Sequence, residues 1–154
     1  MYHCDIIIII YAKELTIVLA TFIIVSFIIS IIDIKKEIIP DAIVLPAIII
    51  LAAAKFFEGT LQISDFVAIA ILVVLFALPI FFNMAFGGGD LRFGAFAALF
   101  VGLEGLGFFI LYSGLIHLVV LSLLKKKSFA FAPSMSLAAL LAYITVNYAK
   151  GVLF

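Results

Sequence analysis

The stretch LRFGAFAALFVGLEGLGFFILYSGLIHLVVLSLL occupies residues 91–124 and contains only Arg92, Glu104 and His117 as groups able to carry charge. As one continuous helix it would be about 51 Å long at a rise of about 1.5 Å per residue. A bilayer core about 30 Å thick is crossed by about 20 residues. The stretch is therefore too long for one crossing. Gly102, Glu104, Gly105 and Gly107 offer a break, because glycine permits tight turns. The expectation is two spans, 91–101 and 106–124, and this division sets the helix number of the whole chain.

The same reading extends outward. Residues 15–32 form a first apolar run behind Lys13 and Glu14, and the block 6–10 extends it. A second run, 42–57, contains Pro46 and ends near Lys55 and Glu58. Neighbouring helices can satisfy the backbone groups that such a proline frees. A third, 66–86, ends at Gly87-Gly88-Gly89-Asp90, and the last covers 133–148 before Lys150. The expected architecture is all-α: one polytopic integral membrane domain over residues 1–154, with six transmembrane helices.

Composition supports this class. Of 154 residues, 68 % are hydrophobic and 12 % charged, and the mean hydropathy is +1.48. Soluble domains average roughly 45–50 % apolar and about 25 % charged residues, and a chain this long hides only about 70 % of its unfolded surface. The surplus requires an apolar solvent. Nine basic residues balance nine acidic ones, so no net basic field exists to hold nucleic acid. The single cysteine, Cys4, excludes an internal disulfide. Beside His3 it lacks further ligands, and no metal or cofactor is expected. No basic segment or small-residue cleavage site accompanies the first apolar run, which is expected to be retained.

Lysine and arginine mark the cytoplasmic side. The loops after spans one, three and five carry Lys35, Lys36, Arg92, Lys125, Lys126 and Lys127, against Lys13, Lys55 and Lys150 on the other side. Both termini are then outside. The lysine triplet is an anchor that also suits anionic lipid headgroups.

Asp33 and Asp90 fall at the same cytoplasmic face in this topology. Singly, Asp33 reads as a solvated charge beside Lys35 and Lys36, and Asp90 as the N-cap of the next helix. The glycines before Asp90 change the weighing. Each costs about 1 kcal/mol of helix propensity relative to alanine, and a plain loop needs no such run. It permits close approach of a substrate strand or another helix. Two aspartates meeting near a low-dielectric boundary would share one proton. The ionised member could then accept a proton from water while the protonated member donates to a peptide carbonyl. The chain contains no H-E-x-x-H, G-x-S-x-G or P-loop motif as competing machinery.

The residues carrying these aspartates resemble the type IV prepilin peptidases. Asp33-Ile34-Lys35-Lys36-Glu37-Ile38-Ile39-Pro40-Asp41 looks like their first motif, and Gly87-Gly88-Gly89-Asp90-Leu91-Arg92 like their G-x-G-D-x-K motif. Phe129-Ala130-Phe131-Ala132-Pro133 sits where members often carry a phenylalanine-glycine-proline stretch. The resemblance implies a membrane aspartyl protease of the inner membrane that cuts the short basic leader from prepilins or pseudopilins at the cytoplasmic face, without metal or cofactor. Asp33 and Asp90 become the catalytic pair. Gly87, Gly88, Gly89, Arg92 and Pro40 support the site, and Asp41 is structural, as a cap for the second helix. Arg92 replaces the usual lysine, and the two cations differ in geometry. The paired Cys-x-x-Cys motifs of longer members are not present, so N-methyltransferase activity is not expected.

The remaining ionisable groups have simpler readings. Glu104 is expected in a solvated turn, and His117 as a packing residue that hydrogen-bonds a neighbouring helix. Glu37 and Asp41 would suit a basic leader by charge. The 17 phenylalanines need no role beyond lipid-facing and helix packing. The competing class is a non-enzymatic membrane subunit of a pilus or secretion assembly, or a small transporter, with both aspartates as interfacial charges.

Overall fold

The computed structural model describes residues 2–81, 87–125 and 130–153, with side chains over 17–78, 87–125 and 130–151. Residues 82–86, Lys126, Lys127, Phe129 and the side chains of His3, Cys4 and Lys13 lie outside that description. Helices α1 (Tyr2–Lys36), α2 (Asp41–Phe57), α3 (Ile63–Phe81), α4 (Gly88–Leu124) and α5 (Ala132–Leu153) follow one another, with no strand among the described residues.

Local chemistry sets the ends. Helix α1 stops where Glu37 adopts φ +52°, its N–H still donating to the Asp33 carbonyl at 2.8 Å. Pro40 is the N-cap of α2, and its carbonyl accepts the Ile43 and Val44 N–H groups. Asp41 makes no side-chain cap hydrogen bond there, which corrects its expected role. Gly59, at φ +69°, lets the chain fold back so that the Thr60 and Leu61 N–H groups reach the Lys55 carbonyl. The Asp65 carboxylate accepts the Gln62 N–H at 3.0 Å, closing the start of α3 as a capping side chain does.

Helix α4 is the hub, packed against α1, α2, α3 and α5. Every residue from Phe93 to Val101 is buried, the pattern of a helix enclosed on all sides. Beyond Gly102 only Gly105, Leu106, Phe109 and Ser113 are buried, a single stripe at helical spacing, while Leu118 and Leu123 are exposed. Gly102 itself is non-helical (φ 67°, ψ −178°). The break expected near 102–107 thus falls at this one residue, where two helical segments meet across a kink. Phe22 of α1 stacks on Phe100 and Phe96 of α4, and Phe100 stacks on Tyr143 of α5, which locks three helices together through large apolar rings.

The outer surface is apolar. Ile24, Phe27, Ile49, Val74, Leu118 and Ile144 are all exposed. Two helical segments are long and apolar enough to cross a membrane, Ile17–Lys36 and Gly88–Leu124, and only 22 % and 17 % of their apolar windows are buried. Core helices of a soluble domain would be hidden; an exposed apolar belt of this extent marks contact with lipid or protein.

Candidate active site

Three chain segments meet at one end of the bundle: the end of α1 with its loop to α2, the start of α4, and the start of α5. They enclose a cavity of about 300 Å³ into which Asp33, Glu37 and Asp90 face, with Ile38, Ile39, Gly87 and Gly89 forming one side and Ala130 and Phe131 another. The two aspartates, 57 positions apart in the sequence, share this cavity.

The two carboxyl groups are held differently. Asp33 is 5 % exposed, and its Oδ2 accepts the Ala132 N–H at 2.9 Å in a buried hydrogen bond. Ala132 is the first residue of α5. Asp90 lies in the first turn of α4 behind Gly87, which is the N-cap, so its reading as the cap itself is corrected. No cation pairs with either aspartate among the described residues. Lys35 and Lys36 are exposed, and Arg92 is bound to Asp41 instead.

The glycines divide by function. A Cβ on Gly89 would lie 2.8 Å from the Ile39 Cβ and 3.3 Å from the Ile39 carbonyl oxygen, so glycine is what lets the α1–α2 loop rest against α4. A Cβ on Gly87 would lie 2.9 Å from Asp90 Oδ2, inside van der Waals contact. Gly88 faces open space. Pro40 and the Arg92–Asp41 pair fasten the same loop and the same helix start from outside the cavity. The α1–α5 side is joined by Ser30 Oγ to Ser136 Oγ at 3.1 Å, and within α5 Ser136 Oγ also donates to the Ala132 carbonyl at 2.7 Å.

His117 packs as expected, its ring against Phe131 and its Nδ1 3.4 Å from Ser134 Oγ. Glu104 is exposed, but it is helical rather than in a turn and pairs with Lys150.

One polar cluster escaped the sequence reading, which took Lys55 for a flanking charge. At the other end of the bundle Lys55 Nζ lies 2.8 Å from Asp65 Oδ2 and donates to the Leu99 carbonyl at 3.0 Å. Both side chains are buried, and Asp65 Oδ1 sits 3.1 Å from where a Gly102 Cβ would be. The ion pair therefore satisfies a carbonyl next to the break in α4. The available signal was one basic and one acidic residue flanking the α2–α3 turn.

Among the described residues, no three His, Cys, Asp or Glu side chains converge as metal ligands would. No curated protein and no solved structure matches the chain. The model of the type IV leader peptidase family matches residues 20–122, a segment carrying both aspartates and the glycine run, and the chain therefore belongs to that family of proteases.

Proposed function

We propose that the protein is a six-span aspartyl endopeptidase of the inner membrane that removes the leader of type IV prepilins or pseudopilins at the cytoplasmic face. The observation that carries this reading is the shared cavity: Asp33 and Asp90 line one space, and no cation pairs with either among the described residues. Facing carboxyl groups hold one proton between them, because two adjacent negative charges in a poorly solvated site are costly.

That arrangement suits direct attack by water. One carboxylate takes a proton from water as its oxygen bonds to the peptide carbonyl carbon, and the protonated partner gives its proton to the carbonyl oxygen. A neutral gem-diol results. The first carboxyl then protonates the leaving nitrogen, the second takes back a hydroxyl proton, and the C–N bond breaks. Products are a carboxylic acid and an amine, and the pair again holds one proton.

The scissile bond of a single-span precursor would enter from the membrane boundary, its apolar helix lying beside α1 and α4 among the lipids. Glu37 lines the cavity, whereas Asp41 is engaged by Arg92. Glu37 is thus the acidic group left to face a basic leader.

Co-expression with prepilins of the same genome tests the reading. The precursor should shorten, with its new terminus at the leader junction. Asp33→Asn and Asp90→Asn should each abolish the shift while the protein still accumulates in the membrane. No cleavage of any such precursor by the folded protein would favour a non-enzymatic subunit.

A further inference from the structure

The two aspartates differ in their hydrogen-bond partners, and the difference originates in α5, outside the segment that matches the family model. Asp33 accepts a buried backbone N–H from Ala132 at 2.9 Å, donated by the first residue of a helix. Such an N–H has no acceptor within its own helix, and it lies at the end that favours negative charge. A backbone donor stabilises a carboxylate over the neutral acid. The Asp90 carboxyl receives no comparable donor among the described residues.

We infer that the start of α5 fixes the roles of the pair: the Ala132 N–H holds Asp33 as the carboxylate that takes the water proton, and Asp90 is the partner that carries the proton to the peptide carbonyl. This rests on the paired-aspartate reading above. Ala132 is a positioning residue that acts through Asp33. Of the charged groups facing Asp33 in the cavity, the α1–α2 loop supplies Glu37 and α4 supplies Asp90. Among the described residues, α2 and α5 supply none to it.

The test removes one hydrogen atom. An ester replaces the Phe131–Ala132 amide when the α-hydroxy analogue of alanine is incorporated at position 132, and kcat/KM for precursor cleavage is followed against pH. An ester also weakens the Phe131 carbonyl, which accepts the Met135 N–H at 3.0 Å. An ester at position 135 deletes that bond while leaving the Ala132 N–H in place, and is the control. Hydrogen bonds to charged groups imply that the acid limb of the 132 ester moves upward by about one to two pH units. The basic limb should stay in place, and the 135 ester should leave both limbs unmoved. Movement of the basic limb instead, of neither limb, or equally in both esters overturns the inference. In the unmodified protein, carboxyl-13C NMR of aspartate, assigned with the single Asp→Asn variants, should find the proton on Asp90, and a proton on Asp33 overturns the assignment without any ester. Failure of the underlying reading looks different: the unmodified enzyme then shows no two-limbed profile, or an Asp→Asn variant still cleaves.

Discussion

The two ends of the bundle each bury an aspartate, and they treat it in opposite ways. Asp65 lies 2.8 Å from Lys55, and the pair is consumed in holding the Leu99 carbonyl at the break in α4. Asp33 has a backbone N–H and a second aspartate as its company. A carboxylate matched by a buried ammonium is a structural fastening. A carboxylate facing another carboxyl group retains a proton that can move. Helix α2, at 17 residues, separates the ends by about 25 Å, so one can be altered while the other is read.

The largest expected effect falls at the cavity end. Asp33→Asn or Asp90→Asn should lower leader cleavage by at least about a hundredfold, the scale of general acid–base catalysis, with little change in thermal midpoint. A large loss of stability in these variants would make the cavity aspartates fastenings too and erase the contrast. The second effect is its mirror image. Lys55→Met leaves Asp65 buried without its cation and should cost about 3–5 kcal/mol, whereas pairing it with Asp65→Leu should restore most of that loss. Thermal unfolding in detergent checks both. A stable Lys55→Met protein would contradict the fastening role.

A third, smaller set sharpens the cavity end. Gly89→Ala should cost about 1–3 kcal/mol of strain or push the α1–α2 loop off α4, with reduced cleavage, and Gly87→Ala should disturb Asp90 directly. Gly88→Ala should behave as the parent in both assays. At the opposite end, the exposed Lys150–Glu104 pair should matter least: Glu104→Gln is expected within about 1 kcal/mol of the parent.

Much of this was legible beforehand. The expected span 42–57 nearly coincides with α2 (Asp41–Phe57), and α5 (Ala132–Leu153) contains the expected 133–148, because charges and prolines interrupt apolar runs where helices meet polar surroundings. Gly102 was among the glycines marked for the break. The motif G-x-G-D also carries its own steric logic, since of its three glycines Gly87 and Gly89 are the ones where a Cβ would collide and Gly88 is not. Other features lay beyond a linear reading. The Lys55–Asp65 fastening depends on α2 and α3 meeting the middle of α4, and nothing local to either residue announces that. Arg92 was noted without its partner Asp41, for the same reason. The Ala132 donor is least visible, because any residue except proline supplies a backbone N–H, and only the docking of α5 against α1 aims this one at Asp33.

The central claim is that Asp33 and Asp90 face each other across one cavity while Asp65 stands apart. In a Cys4→Ser background, the double variant Asp33→Cys/Asp90→Cys should form an intramolecular disulfide under mild oxidation, and Asp33→Cys/Asp65→Cys should not. A cross-link in the first alone is the result this account predicts. No cross-link in the first, or an equal one in the second, would contradict it.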